Sequence, residues 1–238
     1  MDVYIRWSVD TGAIRPLLER YLGNLTPGLP TDRDRLSPQE RGKNQADIHI
    51  PYGHFTKKVY KGTENKATVQ LVFSGDYSYS PENNIKLRAL SEILQIKITQ
   101  HLRENESEVY SPSVQVSYNK YPRSSYAFTV SFGCAPTNAN HLIELVIKEC
   151  TALRENGPAP EDLAKFKAEY KRTHELQLQD NEYWLRYLSN QYENNEDVLQ
   201  VLGYNVRLQK LSVPELQAAA KKYLSGNNLI KFVLLPEK

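Results

Sequence analysis

The chain has 238 residues, 40% hydrophobic and 24% charged, the composition of a globular protein with one large domain, or one domain and a piece of another. A formal net charge of +2 is too small to point to nucleic acid or an anionic membrane, and no apolar run approaches the ~20 residues that span a bilayer. The two cysteines, Cys134 and Cys150, cannot make a disulfide framework, lack metal-ligand spacing, and read as small buried hydrophobes.

Along the chain, residues 3–7 read as a short strand with Val3, Ile5 and Trp7 on one face. No signal-peptide core or cleavage site is visible there. Asp10-Thr11 offers an N-cap, and Ile14, Leu17, Leu18, Tyr21 and Leu22 follow at helical spacing until Gly23. Residues 24–48, rich in proline, glycine and charge, read as a linker. A second unit begins near residue 49. Residues 55–60 and 68–73 are strand candidates, joined through Lys61-Gly62-Thr63-Glu64-Asn65. A long helix is predicted over 82–101, with Ile85, Leu87, Leu90, Ile93, Leu94, Ile98 and Leu102 as its apolar set. Val114, Val116 and Tyr118 then alternate with polar residues, as do Tyr126, Phe128, Val130 and Phe132, with a hairpin at Tyr121-Pro122-Arg123-Ser124. From 138 onward the chain is predicted mostly helical, with a break at Gly157-Pro158, shorter helices over 183–192 and 198–208 and a helix from Pro214 through Tyr223, and residues 229–235 read as a final strand. This order predicts an α+β fold, an antiparallel sheet with helices packed on one face in a two-layer sandwich.

The chemistry-bearing residues are sparse. His141-Leu142-Ile143-Glu144-Leu145 has the first His and the Glu of an inverted zinc motif, but Leu145 stands where the second His must be. His174 lies on an apolar helix face and reads as a partly buried histidine. His49 and His54 flank a Pro-Tyr-Gly turn and could hold a metal only weakly. There is no G-x-S-x-G and no phosphate-binding glycine loop. Tyr126, Phe128 and Phe132 could be a base-stacking platform, but without a basic stripe they read as a buried sheet face. Arg103 by itself reads as a cation at a helix C-terminus, favoured by the dipole, and Glu104, Glu106 and Glu108 as a solvated acidic turn.

The segment Leu102-Arg103-Glu104 through Val109-Tyr110-Ser111 resembles the L-R-E-x(5)-Y-S segment in the C-terminal half of pitrilysin and insulin-degrading-enzyme-type zinc peptidases. Val3-Tyr4-Ile5-Arg6-Trp7 with residues 14–25, Ala67-Thr68-Val69-Gln70-Leu71-Val72-Phe73, Asn181-Glu182-Tyr183-Trp184-Leu185 and residues 216–236 resemble further family segments in family order. The resemblance implies that 1–23 is the strand-helix tail of a preceding domain. Residues 49–238 are then the C-terminal, non-metal-binding domain of a longer zinc metallopeptidase. It implies no cofactor here, zinc held by H-x-x-E-H in the parent's first domain, and two partners: the N-terminal catalytic half and a peptide substrate. Arg103 would grip a peptide carbonyl or carboxylate, and Tyr110 would donate to the developing oxyanion. Ser107 departs from the family's glycine, and Asn105 could supply the left-handed turn residue instead. The alternatives are a domain of a non-catalytic paralogue and a stand-alone peptide-binding module.

Overall fold

A computed structural model describes residues 10–23, 52–105, 109–121 and 123–237. The predicted strand at 3–7 and the linker at 24–48 lie outside them. The elements are α1 (Thr11–Tyr21), β1 (His54–Tyr60), β2 (Ala67–Asp76), α2 (Pro81–Asn105), β3 (Tyr110–Asn119) and β4 (Ser125–Cys134). They continue with α3 (Ala139–Asn156), α4 (Pro160–Gln177), α5 (Asn181–Glu193), a 3₁₀ turn (Val198–Gly203), α6 (Tyr204–Lys210), α7 (Val213–Tyr223) and β5 (Leu229–Leu235).

The five strands form one sheet in the order β1-β5-β2-β4-β3. All neighbours are antiparallel except β1 and β5, which run parallel. The strands therefore make an α+β sandwich as expected, with one difference at the edge. β1 and β2 are consecutive in sequence but do not pair, because β5 is inserted between them. Their connection closes over the end of β5, where Lys61 N–H donates to the Leu235 carbonyl and Glu237 N–H donates to the Gly62 carbonyl, each at 2.9 Å. Buried Asn228 fixes the other end of the insertion. It accepts from Gly53 N–H at 2.9 Å and donates to the Ser74 hydroxyl at 2.9 Å, so β1, β2 and β5 share one satisfied polar clasp.

Alternation decides which face of the sheet is covered. Val69, Leu71 and Phe73 of β2 meet Phe132, Val130 and Phe128 of β4 in register, and all six are buried under the helices. The aromatic residues of β4 are therefore a buried sheet face. α2 supplies the largest helical share of the core through Leu87, Leu90, Ile93, Leu94 and Ile98. Its start is set by Ser80, whose hydroxyl accepts from Asn83 N–H at 3.1 Å, followed by Pro81 in the first turn and Glu82 at the dipole's positive end. The opposite sheet face is open: Gln70, Gln115 and Ser117 are exposed at one side, and Phe55, Val59, Phe232 and Leu234 at the other. α1 begins on its predicted cap, with the Asp10 carboxylate accepting from Gly12 N–H at 2.8 Å, but buries no residue.

Candidate functional site

Arg103 falls in the last turn of α2. Tyr110 opens β3 and is 52% exposed. It pairs with Gly133 of β4, whose neighbours Phe132 and Cys134 face the helices, so Tyr110 stands on the open face of the sheet. The glycine is needed for this arrangement. A Cβ at Gly133 would come within 2.8 Å of Lys66 Cε and 3.6 Å of Tyr110 Cβ. The room lets the Lys66 stem cross, and its ammonium lies 5.3 Å from the centre of the Tyr110 ring, a cation–π contact that places positive charge beside the phenol.

The start of β3 is irregular for an identifiable reason. A bulge falls between Tyr110 and Ser113, and Ser111 carries the left-handed backbone, with φ of 47°. Asn105 instead closes α2. Pro112 suits an edge strand, where no ladder donor is required. The side chain of Gln95, on α2, then acts as a missing strand. Its amide oxygen accepts from Val114 N–H at 2.6 Å, and its amide nitrogen donates to the Pro112 carbonyl at 3.0 Å. Ser91, one turn earlier, donates to the Val114 carbonyl at 3.2 Å. These contacts hold the edge of β3 against α2, and so set where Tyr110 leaves the sheet.

The other candidates are dispersed. His54 and His141 are exposed, and His49 lies outside the described residues. His101 Nδ1 lies 2.8 Å from Glu149 Oε1. His174 is buried at 4% exposure and stacks on Tyr204 at 3.9 Å between ring centres. Burial pushes its pKa below the ordinary value, Glu175 opposes, and Arg207 adds to the lowering. Cys134 and Cys150 are both buried, and burial pushes the Cys150 thiol up to about 12. Among the described residues no three His, Cys, Asp or Glu side chains converge, so these residues do not fit a zinc ion.

A second feature escaped the sequence reading. A cleft of about 680 Å³ opens on the helical side, lined from α2, α4, α5 and α6 and by Tyr118 of β3. Its walls carry Tyr79, Tyr118, Tyr170, Tyr183, Tyr187 and Tyr204. Tyr118, Tyr170, Tyr183, Tyr187 and Tyr204 sit within strands or helices and Tyr79 in the loop before α2, so none stands out locally. The available signal was compositional: 16 tyrosines against 6 phenylalanines, an excess of hydroxyls over what a dry core needs.

Comparison with known proteins gives consistent matches. The family model described as "Peptidase M16 inactive domain" matches residues 8–170. A protein named "Zinc protease PQQL-like" from Arabidopsis thaliana is 28% identical over 209 residues, covering 81% of this chain and 21% of that protein. The chain thus spans about a fifth of that relative's length. The crystal structure of the periplasmic protease PqqL from Escherichia coli matches with a TM-score of 0.75 at 19% identity, over 97% of this chain and 24% of that one. The first half of that protease also matches, with a TM-score of 0.71 at 10% identity, over 95% of this chain and 49% of that one. At such identities these two structures establish a shared fold, and the fold recurs in the first half, so it does not by itself assign this chain to one half.

Proposed function

Because the chain belongs to the family of peptidase M16 inactive domains, we propose that it is the C-terminal, non-zinc-binding domain of a longer zinc metalloendopeptidase, where it closes the substrate chamber. The observation that carries this reading is the exposed Tyr110 phenol on the open sheet face, beside the Lys66 ammonium and seven residues after Arg103 in the last turn of α2. An exposed phenol on a rigid strand is a pre-aimed hydrogen-bond donor. Tyr110 would donate to the oxyanion that develops as a peptide carbonyl is attacked, and Arg103 would hold a carbonyl or carboxylate of the substrate. The catalytic half of the same protein would hold the zinc and activate water through its own residues. Residues 1–23 would be the tail of the domain before this one, joined by 24–48.

The test uses the longer protein. Tyr110→Phe and Arg103→Ala should each lower kcat/KM on peptide substrates by about 10²–10³-fold, the usual loss for one transition-state donor. The thermal midpoint should hold in Tyr110→Phe, since the ring and its contact with Lys66 are kept. Wild-type turnover in both variants would remove the role assigned to these residues.

A further inference from the structure

We propose that the tyrosine-lined cleft on the helical side of the sheet is a peptide-binding site that takes a single carboxylate, with Arg88 as its anchor. Arg88 rises from α2 and is exposed into the cleft. Its guanidinium donates to the Tyr118 hydroxyl at 3.3 Å and lies 5.9 Å from the Tyr170 ring centre. Glu92, four residues along the same helix, is the partner that helix geometry offers. Arg88 does not take it: among the described residues Arg88 makes no ion pair, and Glu92 meets only the Tyr170 hydroxyl, at 3.5 Å.

Three arginines, Arg88, Arg186 and Arg207, line the cleft with three glutamates, Glu92, Glu169 and Glu196, and Lys120 takes the last of these at 3.1 Å. Burial raises the phenols of Tyr170 and Tyr204, the latter to about 12, so both keep their protons at neutral pH. Arg207 lines the same cleft. It donates through Nη2 to the Gln200 carbonyl, and its buried Nε has no partner. A planar acceptor between these groups would satisfy the guanidinium fork and the phenols together, and a carboxylate has that shape.

Two further features narrow the class. Glu92 and Glu169 line the cleft beside the Lys120-paired Glu196, so a ligand carrying several negative charges would meet repulsion, which selects one carboxylate over a phosphate chain. The volume lies in the range of sites that enclose sizeable ligands rather than a lone small acid. The rings of Tyr183 and Tyr187, 5.9 Å apart and within 13° of parallel, give a flat wall for apolar side chains flanking the acid. The peptide would lie on the face of the sheet opposite Tyr110, so this site is separate from the one proposed for catalysis.

Fluorescence anisotropy with the full 238-residue chain tests the assignment. The probes are a short labelled peptide with one central Asp between Tyr and Leu, and the same peptide with Asn. The Asp peptide should bind about tenfold or more tightly than the Asn peptide. Arg88→Met should abolish that preference without moving the thermal midpoint, and Arg172→Met, a surface charge control, should keep it. Equal binding of the two peptides, no binding of either, or an unchanged preference in Arg88→Met would each overturn the proposal. Displacement of the Asp peptide by equimolar inorganic phosphate would overturn it in favour of a phosphate site. Peptide affinity here and turnover in the longer protein are separate readouts, so either reading can fail alone.

Discussion

At the scale of single residues, Gln95 has the clearest structural job. An amide side chain matches the donor and acceptor of a neighbouring strand, and no apolar residue of similar size does. Gln95→Leu would leave Val114 N–H and the Pro112 carbonyl without their partner. A loss of about 1–3 kcal/mol in urea unfolding is expected, with faster amide exchange confined to the start of β3. Unchanged stability would mean that water replaces the clamp. His174 carries a pH dependence whose sign follows from its burial. Its folded pKa lies below the ordinary 6.5, so the unfolded chain takes up the proton first as pH falls. Stability should therefore drop as pH falls through 6.5 towards the folded value, and level off below it. Burial sets this shift, Glu175 opposes it and Arg207 adds to it, with Tyr204 stacked on the ring. In His174→Gln the thermal midpoint should fall less between neutral and mildly acidic pH, and an unchanged slope would assign the dependence elsewhere.

At the scale of elements, α7 shows how a helix start couples to the rest of the fold. Burial alone would raise the Glu215 pKa. Bonds from the Ser212 hydroxyl and N–H, at 2.9 and 3.0 Å, and the Lys86 ammonium at 3.3 Å hold it below the ordinary range. Its stabilising effect is full above the usual carboxylate pKa of 4.5 and is lost as pH falls from there through the lower folded value. Glu215→Gln should lower stability by roughly 0.5–2 kcal/mol at neutral pH, with the difference shrinking in acid. A constant difference across that range would show that the charge is immaterial. Most elements could be read from local pattern, because long periodic segments such as α2 and β4 carry one period throughout. Residues 198–208 read as one helix but divide into a 3₁₀ turn and α6 at Gly203. Tyr110 opening a strand was also readable, since its neighbours alternate. The bulge at Ser111 was not, because it depends on Gln95, which lies on another element. Arg88 was hidden for the same reason: its neighbours Tyr118, Tyr170 and Tyr204 are scattered along the chain and meet only after folding.

At the scale of the molecule, the core among the described residues belongs to those after the predicted linker. α1 buries none of its residues, and the largest buried side chains all lie between Leu71 and Tyr223. A chain beginning at Asp47 should therefore unfold cooperatively, with a midpoint close to that of the 238-residue chain. Loss of the cooperative transition would place residues before 47 within this core and move the domain boundary. The open face of the sheet has two characters, polar near β3 and β4 and apolar at Phe55, Val59, Phe232 and Leu234.

The insertion of β5 between β1 and β2 also governs the order of events during synthesis. β1 ends at residue 60, while its pairing strand begins at residue 229. At about 5–20 residues per second, β1 waits roughly 10–30 s for a partner, whereas β2, β3 and β4 can pair as they emerge. Until then its lysines, Lys57 and Lys58, sit in an unpaired segment and are open to trypsin. Ribosome-bound chains stalled before residue 229 should be cut there, and chains released after residue 235 should resist. Equal resistance in the stalled chains would mean that β1 finds another place on the nascent sheet first.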